Sequence, residues 1–468
     1  MEAKKNISIV GAGLVGSMWA CFMAKKGHNV NVFERRGDMR VKEVDAGKSI
    51  NLALSTRGWQ ALKELGMEAE LKKIAIPMKG RMIHQEDGTQ DFQPYGKEGQ
   101  AIYSISRGEL NKALMNRADE DSNSVFHFDY KCEHVDFEHK TLKFSTHDGE
   151  IRTISSDYIF GADGAFSAVR YDMQRTHNFN YSQQFLEHGY KELCIPPNAD
   201  GTHKLEKNAL HIWPRKSFML IALPNLDGSF TVTLFLQFKG KESFETLDED
   251  HEIIPFFEKY FPTALQHIPD LIKDYKENPT GSLVTVKCSP WHYKHACLLG
   301  DAAHAVVPFY GQGMNAGFQD CYVLNNLLDK YKDKEWEDVF EIFSEEHAKN
   351  GQAIADLAVR NFIEMRDDTA DDHFLQRKKL ELNLMNTYPD LYKSQYQMVT
   401  FTTEPYYDAL TKGDEQTDFA EQLLNEFPNK EDWNNSAFDK KVRNRFLVFK
   451  ISDKHREYFY LFFKCINK

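Results

Sequence analysis

Gly11-Ala-Gly13-Leu-Val-Gly16 follows the β-branched run Asn6–Val10, precedes a helical stretch Ser17–Lys26 closed by Gly27, and is followed by a second β run, Asn29–Phe33. This order of strand, glycine turn, helix and strand commits the N-terminal segment to a βαβ unit that binds a dinucleotide. Gly11 permits the tight turn, Gly13 lets the backbone approach a pyrophosphate, and Gly16 lets the helix pack on the strand. The helix N-terminus then faces the phosphates. Glu34 ends the second strand 18 residues past Gly16, where a carboxylate accepts from ribose hydroxyls. The motif alone leaves NAD and FAD both open.

Composition narrows what surrounds this unit. At 468 residues the chain holds two or three domains at about 150 residues each. With 41% hydrophobic and 27% charged residues and a mean hydropathy of -0.56, it reads as a folded soluble chain. Lys+Arg 58 against Asp+Glu 70 gives a net charge of -12, a field that repels polyanions, so no nucleic-acid partner is expected and a small-molecule ligand is. The seven cysteines form no CxxC pair, which excludes a zinc ribbon and a disulfide framework, predicts no metal site and fits a cytoplasmic protein. The glycine turn interrupts the first apolar run too early for a signal peptide, and no apolar stretch approaches the roughly 18–20 residues of a membrane span.

Residues 81–106 alternate short strands and turns before a helical Glu109–Glu120. Ser217–Leu223 and Ser229–Phe238 flank the turn Asn225–Gly228, and Phe230, Val232, Leu234, Leu236 and Phe238 recur at period two. That spacing predicts an antiparallel sheet with one buried side. From about Cys321 the pattern is helical, with TKGDEQTD (411–418) and FPNKEDWNNS (427–436) read as loops. The acidic stretch 245–252 is read as a solvated face without function.

Two further segments decide the cofactor. Tyr158-Ile-Phe-Gly161-Ala-Asp163-Gly164-Ala-Phe-Ser167-Ala-Val-Arg170 and Cys297-Leu-Leu-Gly300-Asp301-Ala-Ala-His304, continuing through Pro308-Phe-Tyr-Gly311-Gln-Gly313-Met314-Asn315-Ala-Gly317, resemble the DG and GD motifs of the class A flavoprotein monooxygenases. A strand ending in Gly300-Asp301 presents a carboxylate to ribityl hydroxyls, and the glycines at 311, 313 and 317 open a helix start toward the flavin ring. The resemblance implies an α/β fold: a Rossmann-type FAD-binding domain with an inserted antiparallel β-sheet substrate domain and a helical C-terminal region. The expected division assigns 1–75, 104–178 and 283–370 to FAD binding, 76–103 and 179–282 to the substrate sheet, and 371–468 to the helical region. It also implies FAD contacts from Gly11, Gly13, Val15, Gly16, Glu34, Arg36, Ala53, Arg107, Asp301, Gly313, Met314 and Asn315. His304 reads as structural, and Asp163 as a bridge between cofactor-side segments.

Separated motifs up to about residue 405, among them Lys79-Gly-Arg81, Pro94-Tyr95-Gly96, Arg360-Asn361 through Arg366, and Tyr396 through Phe401, resemble one branch of that family, which hydroxylates an amino acid bearing an aromatic amine. By that resemblance Arg81, Tyr95, Asn361 and Tyr396 hold the amino-acid end of the substrate. A carboxylate beside an ammonium calls for a guanidinium fork with hydroxyl and amide partners. Read by themselves, the same four are equally surface or packing residues. Pro308 and Phe309 are implied as the pocket wall, with Phe238 a further candidate. The resemblance implies that NADPH reduces FAD, dioxygen adds at C4a, and the resulting hydroperoxide oxygenates the ring ortho to the amine, with no side chain as acid or base. No second GxGxxG is present, so NADPH has no expected domain of its own. A hydroxylase of another aromatic acid, or a non-catalytic flavin module, remain the other readings.

Residues 440–468 carry nine Lys or Arg interleaved with aromatic residues, without an apolar anchor. They fit either weak contact with an anionic membrane surface or a helix packed over the substrate side. The shortness of each apolar cluster favours packing.

Overall fold

The computed structural model describes residues 3–41, 51–96, 99–121, 123–364 and 372–445. The βαβ unit forms as expected from β1 (Asn6–Val10), α1 (Leu14–Lys25) and β2 (Asn29–Phe33). These two strands lie inside a six-stranded sheet in the order His292–Tyr293, Ala296–Leu298, Tyr158–Gly161, β1, β2, Ser124–His127. All pairings are parallel except that of the edge strand His292–Tyr293. A parallel sheet buries both faces, which is why Ile7 to Val10 are all buried, Ser8 among them with its hydroxyl bonded to that of Ser156. Helix α1 is buried almost all round because it packs between helices Arg107–Asp119 and Gly313–Lys330. Ile7, Trp19, Phe22, Val32, Phe160, Leu298 and Phe318 belong to the core so formed.

The second large sheet has seven strands in the order Gly281–Ser289, Asn180–Ile195, Phe230–Gln237, Phe218–Pro224, Ala209–Arg215, Gly80–His84, Gln90–Pro94. All are antiparallel except the junction of Ala209–Arg215 with Gly80–His84. It thus runs on past residue 282. Ile76–Met78 and Ile102–Ser106, expected with these strands, instead pair with one another and with Asn51–Leu54 in a small sheet of their own.

The expectation of one buried side is overturned. Every residue from Phe230 to Leu236 is buried, with the two faces covered differently. Phe230, Val232, Leu234 and Leu236 pack with Phe256, Phe257, Phe261 and Leu271 of the neighbouring helical segments. Thr231, Thr233 and Phe235 line a cavity. Period two correctly places the side chains, but it cannot reveal that the second face is covered by another part of the chain.

The C-terminal region is helical: Trp336–Ile363, Asp372–Thr387, Gln395–Phe401 and Tyr406–Glu426. TKGDEQTD is not a loop but the interior of the last of these helices. Its single glycine, Gly413, sits where an added Cβ would lie 2.6 Å from Gln395, so the glycine serves close packing rather than a break. Half of FPNKEDWNNS is a 3-10 turn, Lys430–Asn434, that buries Trp433 and links two helical stretches. Leu384, Tyr392, Phe419, Leu423, Trp433 and Phe438 give this region a core of its own. Residues 446–468, and Arg366, lie outside the described residues, so the basic aromatic tail is described only through Arg445.

Candidate active site

One cavity of about 660 Å³ runs from the βαβ unit to the inner face of the seven-stranded sheet. At its first end Gly11 has φ +100°, and a Cβ there would lie 2.5 Å from the Ala162 carbonyl oxygen. A Cβ on Gly16 would lie 1.9 Å from the Gly11 carbonyl oxygen. Gly16 therefore packs helix on turn and, unlike Gly11, Gly13 and Val15, does not line the cavity. Glu34 does line it, and its carboxylate is fixed by the backbone: Oε2 accepts from the Ala12 amide at 3.0 Å and Oε1 from the Arg36 amide at 3.0 Å. Arg36 and Ala53 line the same wall.

Two helix N-termini open onto the cavity. Neither α1, entered from Gly13, nor the helix Gly313–Lys330, entered from Gln312, has a side chain capping it. Their leading amides are thus left for a ligand, and their dipoles favour negative charge. Gly313 and Met314 line the cavity beside the second terminus. Asn315 does not: it is fully buried, with Nδ2 donating to the carbonyls of Ala53 and Gly311, both at 2.8 Å, and Oδ1 accepting from the Ser55 amide at 2.8 Å. It holds the loop that a cofactor would touch.

Asp301 is exposed on the cavity wall, and the surrounding protein, which shields it from bulk water, raises its carboxyl pKa against the nearby positive charge of Arg107. Arg107 lines the cavity as well, at the start of Arg107–Asp119. Beneath Asp301, Asp320 accepts from the Gly300 amide at 2.9 Å, from His304 Nε2 at 2.6 Å and from His347 Nε2 at 3.0 Å. Burial opposes the Asp320 charge, but the two histidines outweigh it and hold the carboxyl at about 2. His304, stacked on Trp291, is structural as expected.

Asp163 is not the expected bridge. It lines the cavity, but its Oδ2 accepts from Ala168 of its own segment at 2.7 Å, and its Oδ1 is buried without a partner. The bridge is Arg170, which sequence reasoning passed over: its guanidinium donates to the Ala302 carbonyl at 2.7 Å and to that of Ala165, joining the two motif segments.

At the far end three separate segments converge. The Arg81 guanidinium lies 4.8 Å from the centre of the Tyr396 ring and 5.5 Å from that of Tyr95, and the two rings stack at 5.4 Å. Arg81 Nε and the Tyr95 hydroxyl are buried without hydrogen-bond partners, and among the described residues no carboxylate is within ion-pair distance of Arg81. Burial disfavours the Arg81 charge, yet Tyr396, Tyr95 and Glu364 together raise its pKa. Tyr310, not anticipated, stacks on Tyr396 at 5.6 Å and lines the cavity.

Pro308 and Phe309 line the cavity wall as expected; the Phe309 ring is 4.9 Å from Phe235 and 4.1 Å from Phe362. Phe238 does not; it lies beyond the strand end, 6.0 Å from the Phe244 ring. Nor does Asn361 line the cavity. Its Nδ2 donates to the Phe309 carbonyl at 2.8 Å, so it fixes the wall from behind. The cavity-facing residues Thr231, Thr233, Phe235, Met219 and Ile221 were legible only as the opposite phase of the strand pattern.

Glycines at a turn, two uncapped helix starts and the cavity-lining acids Glu34 and Asp301 fit a dinucleotide. The FAD binding domain family matches residues 4–358. The fold is that of flavin-dependent oxygenases: 2-methyl-3-hydroxypyridine-5-carboxylic acid oxygenase superposes with a TM-score of 0.65 at 18% identity, covering 80% of this chain and 95% of that one. Tetracycline destructase Tet(55) superposes with a TM-score of 0.61 at 16% identity, covering 84% and 99%. Among curated relatives, the kynurenine 3-monooxygenase of Christiangramia forsetii is 48% identical over 94% of this chain and 99% of its own length. That of Myxococcus xanthus is 46% identical over 96% and 97%, and that of Dictyostelium discoideum 46% identical over 86% and 89%. The chain belongs to the kynurenine 3-monooxygenase family.

Proposed function

We propose that this protein is an FAD-dependent, NADPH-consuming monooxygenase that converts L-kynurenine to 3-hydroxykynurenine, a step of tryptophan degradation toward pyridine nucleotides. The observation that carries the reading of the substrate is the pair of unsatisfied buried polar atoms, Arg81 Nε and the Tyr95 hydroxyl, in an apolar cavity shared with the flavin cradle. Leaving such groups unpaired costs about 1–3 kcal/mol each, which a bound carboxylate would relieve.

Gly11, Gly13, Val15, Glu34, Arg36, Ala53, Arg107, Asp301, Gly313 and Met314 would hold FAD. Gly16 and Asn315 support that cradle from outside the cavity. The cofactor supplies the electron transfer from NADPH and the activation of dioxygen. The chain's own residues do the rest. Arg81 binds the substrate carboxylate, Tyr95 and Tyr396 bracket the amino-acid end, and Asn361 steadies the Phe309 wall. Tethering that end directs the aniline ring along Phe235, Phe309 and Pro308 toward the flavin cradle. The same apolar wall keeps water from the reacting centre. No side-chain acid or base is needed, since the substrate amine already activates the ring.

Among the described residues no helix is long and apolar enough to cross a membrane. A cytoplasmic location is supported by the buried free thiols of Cys21, Cys288, Cys297 and Cys321. The decisive test is NADPH oxidation by the FAD-loaded protein with and without L-kynurenine, with the product weighed. A stimulated rate and a product heavier by one oxygen are expected. Stimulation that yields only hydrogen peroxide would make L-kynurenine an effector and count against it as substrate.

A further inference from the structure

Arg57 is one of the largest fully buried side chains of the protein, lies away from the cavity lining, and among the described residues pairs with no carboxylate. Its guanidinium is satisfied by the main chain of another region. Nε donates to the Val399 carbonyl at 3.0 Å, and Nη2 donates to the Met398 carbonyl at 3.2 Å and to the Glu404 carbonyl. Nη1 donates to Gln319 Oε1 at 3.1 Å, on the helix whose N-terminus faces the flavin cradle. The Tyr406 ring lies 3.9 Å below, and the Tyr406 hydroxyl donates to Gln312 Oε1, at that same N-terminus, at 2.9 Å.

Physically this is a cation set against the carbonyl end of the helix Gln395–Phe401. The carbonyls there have no intrahelical partners and carry partial negative charge. Burial pushes the Arg57 pKa down, and Tyr406 and the charge of Glu404 offset part of that cost. The helix it holds is the one that carries Tyr396, which is half-buried and packs on Arg81 and Tyr95. Tyr396 sits near the start of this helix and the Arg57 bonds at its end. Met398 and Val399, whose carbonyls Arg57 holds, follow Tyr396 by two and three residues, so less than one helical turn links the tether to Tyr396.

We propose that Arg57 is a positioning residue for substrate: it fastens the Gln395–Phe401 helix to the flavin-facing helix through Gln319, and so sets the place of Tyr396 opposite Arg81. This deepens the reading of the active site given above and rests on it. Arg57 touches neither substrate nor cofactor, and its effect passes through Tyr396.

The test is a double-mutant cycle on the KM for L-kynurenine, with hydrogen exchange as a second readout. Arg57→Met is expected to raise KM about tenfold while FAD content stays at the wild-type level, and Arg57→Lys to recover part of the loss. If Arg57 acts through Tyr396, Arg57→Met adds almost nothing in a Tyr396→Ala background. Effects that multiply in the double variant would overturn the proposal, as would loss of FAD in step with the rise in KM. In Arg57→Met the amides of 395–406 are expected to lose protection while those of 6–33 keep theirs; unchanged exchange at 395–406 would also overturn it. A wild-type enzyme that L-kynurenine does not stimulate would count against the substrate, and exchange would still decide the tether.

Discussion

The two ends of the cavity are made of different material. The cofactor end is mostly main chain: a glycine in a conformation that disfavours a side chain, two uncapped helix starts, and carboxylates held in place by backbone amides. The end proposed to take the substrate is mostly side chain: Arg81, Tyr95, Tyr310 and Tyr396, brought together from distant parts of the sequence. A main-chain site tolerates little because its geometry is also the geometry of the fold. A side-chain site can be altered one group at a time, with the loss confined to the ligand that group touches.

The sharpest way to break this contrast is one substitution at each end. Gly11→Ala places a Cβ against Ala162 and Asp163 in a backbone conformation that disfavours it. It should abolish flavin retention and cut activity by about 100-fold or more, read from the flavin absorbance of the purified protein. Arg81→Ala should leave that absorbance intact while raising the KM for L-kynurenine about 100-fold, equivalent to about 3 kcal/mol of charged hydrogen bonding. A colourless Arg81→Ala protein would place Arg81 with the cofactor instead. Tyr95→Phe removes a single buried hydroxyl and should raise KM about tenfold at unchanged kcat. Asn361→Ala acts from behind Phe309, so more of the consumed NADPH should appear as peroxide, about two- to threefold, with KM nearly constant. A rise in KM instead would mean that Asn361 reaches the substrate.

The contrast also separates what could be read from the sequence. β1 and β2 fall on the residues expected because a glycine turn between two β-branched runs is local chemistry. The Gly300-Asp301 turn was legible for the same reason. Arg81 and Tyr396 carry no local mark, and only resemblance linked them; the structure supplies the ring contacts that give the link a physical form. Asn361 and Asn315 were assigned to ligands, whereas each spends its amide on a loop carbonyl, a distinction that needs three-dimensional neighbours. TKGDEQTD reads as a break because glycine and aspartate disfavour helix interiors, yet packing against Gln395 overrides that preference. Arg57 had no sequence signal at all, since its partners are carbonyls.

The smallest effect expected lies outside the cavity, between the neighbouring strands Gly80–His84 and Ala209–Arg215 of the same sheet. His84 Nε2 and His211 Nδ1 are 2.9 Å apart and buried. Burial lowers the pKa of His84 to about 3 and that of His211 to about 4. Unfolded histidines take up protons at about pH 6.5, so between there and pH 4 the unfolded chain binds protons that the folded one refuses. Stability from this pair is therefore complete above pH 6.5 and is lost as the pH falls. Tm should decline with acid over that window, and His211→Gln should flatten the decline; an unchanged slope would assign the acid sensitivity elsewhere.

The strand Phe230–Gln237 turns alternate residues to the helical core and to the cavity. A sequence that writes two messages in alternate letters can have one of them revised while the other stands. Changes confined to Thr231, Thr233 and Phe235 would reshape the cavity wall without rewriting the letters that keep the sheet folded, so the shape of the chamber and the stability of the sheet can vary independently along one strand.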